Sequence, residues 1–245
     1  SEVVLDKTTF YPEGGGQPSD IGHFIKDNKK YKVINVKKIN NSIVHFVKGN
    51  FKKGEKVRVV IDWNHRYTLM KHHTATHIVN GALKKILGNH IWQSGSQLNL
   101  KDARFDYAHY KPLSKKEIKD VEKQANEYII KSVNVEKKVF DRNTAEKKYG
   151  FRLYQGGVPP GNCIRVLNIP GIDVEACGGT HLDNTKEVEK IRIIKSERIQ
   201  DGVNRITFAA GKMADKYQIE LKNKYNKIIK LLEPAYIIEK NENIS

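Results

Sequence analysis

His73 and His77 stand four residues apart in the stretch His73-Thr74-Ala75-Thr76-His77. On an α-helix that spacing projects both imidazoles from one face about a turn apart, the geometry of a pair of metal ligands. Cys177 and His181 repeat the step in Glu175-Ala176-Cys177-Gly178-Gly179-Thr180-His181. The two glycines let that backbone bend a thiol and an imidazole toward one point. Three imidazoles and a thiol make a tetrahedral zinc (Zn2+) set. The alternative is an ordinary buried thiol beside a hydrogen-bonded loop histidine. The neighbour His72 lies about 100° around the helix and is expected to face solvent. Zinc-peptidase helices carry a glutamate next to the first histidine as general base; Thr74 stands there instead, so peptide hydrolysis is disfavoured. A zinc site without a carboxylate base suits an activated ester better than an amide.

The run Gly14-Gly15-Gly16-Gln17 is a second cluster. Read alone it is a turn between strands, since it lacks the strand-to-helix context of a phosphate loop. Tyr154 to Gly161, rich in proline and glycine, reads as a rigid loop with no chemistry of its own.

These residues need elements to hold them. From Val3 to Asp62 the chain reads as short strands, including Tyr31 to Ile39, Ile43 to Val47 and Lys56 to Asp62, with turn signals at Asp27-Asn28, Asn40-Asn41-Ser42 and Lys52-Lys53-Gly54. Strands at that spacing predict a small β-barrel. Tyr67 to Leu87 then carries apolar residues in steps of three and four, with Gly88 placed to cap a helix. Strands are predicted over Ser94 to Leu100 and Ala103 to Tyr110, with Phe105, Tyr107 and His109 facing one way. Ser114 and Glu117 have capping-box spacing, which starts a second helix running to about Lys131. Further strands are expected at Val133 to Phe140, Cys163 to Ile169, Lys190 to Ile199 and Val203 to Ala209, the last two joined at Asp201-Gly202. The whole reads as an α+β chain: an N-terminal barrel over residues 1–62, an antiparallel-sheet domain over 63–211, and a C-terminal helix and tail over 212–245. That helix bears a stripe of Ala214, Tyr217, Leu221, Tyr225, Ile228 and Leu232, is expected to stop at Pro234, and predicts contact with a missing domain or another subunit.

The chain has 245 residues, with 44 Lys plus Arg against 28 Asp plus Glu and a net charge of +16. A cationic surface favours a polyanion, so nucleic acid is the leading partner class, against the plainer reading of solvated lysines. No run approaches the ~18 apolar residues of a membrane span. Only Cys163 and Cys177 are present, which excludes a disulfide framework and fits a reducing, cytoplasmic setting.

The string Asp6-Lys7-Thr8-Thr9-Phe10-Tyr11-Pro12-Glu13-Gly14-Gly15-Gly16-Gln17, the His73 to His77 helix and Cys177-Gly178-Gly179-Thr180-His181 occur in this order. Together they resemble the editing domain of alanyl-tRNA synthetases, most closely the archaeal type, and the free-standing alanyl-tRNA editing proteins. Tyr154 to Gly161 and Arg198-Ile199-Gln200-Asp201-Gly202 strengthen the likeness, which runs from about Val3 to Gly211. The resemblance implies hydrolysis of tRNA(Ala) mischarged with serine or glycine. It assigns zinc to His73, His77, Cys177 and His181, and the sensing of the seryl hydroxyl to Gln93. On that footing catalysis depends on Gln93, His73 and Cys177, and substrate contacts fall to Gly15, Gln17 and Gln93. The chain's ends fit an excised piece of a synthetase better than a free-standing editor. Two mechanisms stand open: one in which a ligand such as His181 gives way and water is activated at the metal, and one in which the metal only holds the aminoacyl group. The competing function is a tRNA-binding module whose zinc is purely structural.

Overall fold

The computed structural model describes residues 1–242, with side chains through residue 231. It opens with five antiparallel strands, β1 (Glu2–Val4), β2 (Gly22–Lys26), β3 (Lys29–Ile39), β4 (Ser42–Val47) and β5 (Arg58–Ile61), in the sheet order β1-β4-β3-β2-β5. Asp27 and Asn28, at φ 49° and 60°, make the two-residue turn between β2 and β3, a conformation that short polar side chains tolerate. One face of the sheet packs Phe10, Phe24, Val33, Val36 and Val47 into a small core. The two shortest strands, β1 and β5, lie at opposite ends of the order, so backbone pairing among the described residues leaves open the sheet that strand spacing predicted as a barrel.

Helix α1 (Trp63–Leu87) follows, four residues longer at its start than its apolar period implies. Asp62 caps it by accepting from the His65 amide at 3.1 Å, and Gly88 ends it at φ 114°. Every residue from Lys71 to Leu83 is buried, because α1 is the central element of its half of the molecule. Against it packs a four-stranded sheet of order β11-β12-β7-β6, formed by β6 (Gln93–Leu98), β7 (Ala103–Ala108), β11 (Ile191–Gln200) and β12 (Val203–Ala210). On β7, Phe105 and Tyr107 point inward as expected, joined by Ala103, and His109, expected on the same side, is buried just past the strand's end. His72 is 0% exposed, correcting the expectation that it faces solvent. A helix enclosed on all sides has no solvent face to offer, and burial holds the His72 pKa down at about 4.

Helix α2 (Lys115–Ile130) starts in a complete capping box between Ser114 and Glu117 and packs on α1. A three-stranded antiparallel sheet of order β10-β9-β8 comprises β8 (Glu136–Asp141), β9 (Cys163–Ile169) and β10 (Asp173–Ala176). Helix α3 (Arg142–Tyr149), between β8 and β9, has no apolar stripe to announce it; Asp141 caps it through the Thr144 amide at 3.1 Å. Helix α4 (Lys212–Glu242) passes through Pro234 instead of stopping there. Proline forfeits its own amide bond and crowds the preceding turn, which kinks a helix without forbidding it where strong helix formers flank it. Within its stripe Ala214 is buried while Leu221, Tyr225 and Ile228 are exposed; Leu232 lies outside the described side chains.

Candidate metal centre

His73 and His77 project side by side from α1, their ring centroids 5.6 Å apart. The loop after β10 brings Cys177 and His181 to the same place. Cys177 Sγ lies 3.5 Å from His73 Nε2 and 3.2 Å from His181 Nε2, and the His73 and His181 rings approach to 4.1 Å between centroids. One ligand atom from each of the four residues falls within 4.8 Å of the others. The loop fits because of Gly179: a Cβ there would stand 2.0 Å from His73 Cε1. Gly178 has nothing within 4 Å of the same position, so only one of the two glycines is sterically required. Arg165 on β9 pins the loop by donating from Nη1 to the carbonyls of Cys177 (2.7 Å) and Gly179 (2.8 Å).

The electrostatics suit a cation. Burial raises the Cys177 thiol, yet His73 and His181 outweigh it and hold the pKa well below the ordinary thiol value. Burial and the neighbouring His73 lower His181 to about 3, so its ring is neutral. His77 Nε2 and His181 Nδ1 are buried with no hydrogen-bond partner. Such orphaned nitrogens cost about 1–3 kcal/mol each unless something binds them. A thiolate, the neutral ring of His181 and the unpartnered Nε2 of His77 belong to the donor set of zinc, so the residues present fit that ion.

Behind His77 lies a buried acidic pair that sequence reasoning missed. Asp173 Oδ2 accepts from His77 Nδ1 at 2.9 Å, while its Oδ1 takes Lys84 Nζ at 3.1 Å. Burial works to raise Asp173, and His77 and Lys84 reverse it, leaving the carboxylate ionised. Glu175, pushed well above the carboxylate range by burial and by Asp173, accepts from Asn80 Nδ2 at 2.8 Å. A carboxylate on the outer nitrogen of a ligating histidine orients the ring and raises its basicity. The signal for it was the alternation Asp173-Val174-Glu175 immediately before the cysteine loop.

His73, His77 and Cys177 open into a cavity of about 640 Å³ whose walls include Tyr11, Gly15, Lys38, Gln93 and Gly156, while His181 is buried behind them. Burial foremost, with Cys177 nearby, raises the Tyr11 hydroxyl to about 12; it donates to the Gly14 carbonyl at 2.8 Å. Gln93 is half-buried on the cavity wall, its Nε2 3.4 Å from Ser96 Oγ. Gly15 lies on the same wall with nothing within 4 Å of a would-be Cβ. Gln17 is 0% exposed and turned away from the cavity, its amide engaged by His73 and Thr180. Both cysteines are free thiols, and among the described residues no helix is long and apolar enough to cross a membrane.

A family model described as tRNA synthetases class II (A) matches residues 1–65, and another, the threonyl and alanyl tRNA synthetase second additional domain, matches residues 164–207. The chain is 50% identical over 217 residues to an alanine–tRNA ligase of Methanobrevibacter smithii, covering 86% of this chain and 24% of that protein. It is 52% identical over 212 residues to the ligase of Methanococcus aeolicus, covering 85% and 23%, and 51% over 214 residues to that of Pyrococcus furiosus, covering 86% and 23%. The chain thus spans about a quarter of the length of these curated relatives. With two synthetase family models in order along it and half its residues shared with archaeal relatives across most of its length, this chain is similar to one segment of the alanyl-tRNA synthetases, the part that carries the second additional domain.

Proposed function

We propose that the chain is the editing part of an alanyl-tRNA synthetase and hydrolyses the aminoacyl ester of tRNA(Ala) mischarged with serine or glycine. The observation that carries this reading is the convergence of His73, His77, Cys177 and His181, the first three at the base of a cavity walled by Gln93 and Gly15. The four residues would hold zinc, which when bound supplies a Lewis-acidic positive charge beside the ester. Gln93 offers its amide to the seryl hydroxyl. A polar group placed there rejects an alanyl ester by being left without a partner. Around Gly15 no side chain stands between the backbone and the terminal adenosine, and the +16 charge favours the tRNA backbone. Residues 1–62, as an open five-stranded module, and residues 63–211 together form the editing unit, with α4 as a connector to a further domain or subunit. The setting is the cytoplasm, where both thiols stay reduced. Four protein ligands filling a tetrahedral shell is also the mark of a structural site, which favours a second reading, a tRNA-binding module.

One assay separates the two. Release of serine from seryl-tRNA(Ala) and of alanine from alanyl-tRNA(Ala) is followed with the zinc-loaded chain and with a chelator-stripped sample. Serine-selective release that vanishes with the metal and returns with zinc supports editing. Binding of tRNA without release by the zinc-loaded chain refutes it in favour of the binding module.

A further inference from the structure

The glycine-rich run ends on a side chain that faces away from the cavity. Gln17 is 0% exposed, and both ends of its amide are engaged within the fold. Its Oε1 accepts from the Thr180 backbone amide at 3.0 Å and lies 2.8 Å from His73 Nδ1, while its Nε2 donates to Thr180 Oγ1 at 2.8 Å. The backbone amide of Thr180 only donates, so the atom facing it is the Gln17 carbonyl oxygen, whichever way the amide is drawn. A carbonyl oxygen only accepts, and His73 Nδ1 must therefore carry the proton. Its Nε2, 3.5 Å from Cys177 Sγ, is then the lone-pair nitrogen aimed into the ligand cluster.

The run is itself clamped so that Gln17 cannot drift. The Gly16 carbonyl accepts from the Leu98 amide at 2.8 Å, and a Cβ on Gly16, at φ +78°, would stand 2.4 Å from the Ser96 carbonyl oxygen. Gly14 and Gln17 bridge each other through backbone bonds of 3.1 and 3.0 Å. One side chain from the N-terminal segment thus reaches both halves of the ligand set, His73 on α1 and the Cys177 to His181 loop.

We propose that Gln17 is a positioning residue of the metal centre: it fixes the tautomer and ring orientation of His73 and ties the ligand loop to α1. This rests on the metal reading above and takes Gln17 out of direct substrate contact. It is the counterpart on His73 of what Asp173 does on His77. The N-terminal segment is then a required part of the zinc site although it contributes no ligand.

Zinc affinity measured by competition with a chelating dye tests the role without any catalytic readout. Gln17→Met keeps the side-chain length and removes all three bonds; its Kd for zinc is expected to rise roughly tenfold to hundredfold. Gln17→Glu keeps both acceptances and is expected to retain wild-type affinity, a rescue that packing alone would not produce. Equal affinity in wild type and a folded Gln17→Met chain overturns the positioning role. Nitrogen NMR of the metal-free wild-type chain at mildly alkaline pH needs no variant: a proton on His73 Nδ1 is expected, and one on Nε2 overturns the proposal. A wild-type chain that holds no zinc refutes the metal centre and the positioning role together, whereas zinc bound as expected without deacylation refutes the editing function alone.

Discussion

Gly179→Ala is the sharpest perturbation the ligand loop allows. The new Cβ would stand 2.0 Å from His73 Cε1, where ordinary contact begins at 3.4 Å, so ring or loop must move by about 1.4 Å. Metal sites tolerate ligand displacements of only about 0.2 Å, and a shift seven times larger removes either His73 or the cysteine loop from the shell. Structural zinc sites bind with roughly 10–16 kcal/mol, so one ligand in four is worth about 2.5–4 kcal/mol, or a roughly hundredfold to thousandfold rise in Kd. Gly178→Ala is the matched control: the same methyl one residue earlier meets nothing within 4 Å and is expected to bind zinc as the wild type does. Dye competition gives both affinities, and thermal unfolding of the metal-free chains checks that the two alanines leave the fold equally intact. Wild-type affinity in Gly179→Ala would refute the claim that close approach of this loop to His73 builds the site. Equal losses in both variants would trace the effect to backbone stiffness.

Gln93→Ala is expected to lower serine release and to narrow the preference for seryl over alanyl ester; unchanged selectivity in the deacylation assay would move discrimination elsewhere. Arg66 donates from Nε to Asp20 at 2.7 Å, and Asp20 is 0% exposed, so Arg66→Met strands a buried carboxylate. The expected cost is about 3–5 kcal/mol in urea unfolding, with refutation by a loss below about 1 kcal/mol. Ser114→Ala removes a helix cap and is expected to cost about 1 kcal/mol while leaving zinc affinity untouched. Bonds from Ser114, with Lys111 adding to them, lower Glu117 to about 2. A depressed carboxylate stabilises the fold above its unfolded pKa and loses that contribution as pH falls toward 2, so the gap between wild type and Ser114→Ala should shrink across that range. A gap that stays constant there would sever the link between cap and carboxylate.

The convergence of the four residues was legible because metal chemistry demands rare residue types at set steps: His73, His77, Cys177 and His181 meet as their spacing implies. Local signals of equal strength were the capping box at Ser114 and the run Cys163–Ile169, which is β9 to the residue. What escaped was whatever depends on the third dimension. Asp173 and Glu175 alternate like the wet side of a surface strand, and only the packing of β10 against α1 turns them into a buried support for His77. His72 was misplaced for the same reason, since a helical period reveals a dry face and not that the opposite face is covered too. Gln17 was legible as near the pocket and illegible in direction. Its inward turn follows from how Gly16 packs on Ser96, a contact between segments some eighty residues apart. Helix α3, with no apolar stripe, is held by its Asp141 cap and by the strands beside it.

His73 and Cys177 are separated by 104 positions along the chain. At about 5–20 residues per second, a ribosome needs roughly 5–20 s to pass from one to the other. Throughout that interval α1 presents only two of the four imidazole and thiol donors that the proposed zinc site needs. Capture therefore waits until translation has delivered the cysteine loop and β10 has packed against α1. The apolar core around Leu69, Ile78 and Phe105 is built from hydrophobic packing, so on the proposed metal reading the expected order of events is scaffold first and metal last. On the proposed zinc reading, scarcity of the ion would leave a folded but unloaded protein that later metal supply could load without renewed synthesis.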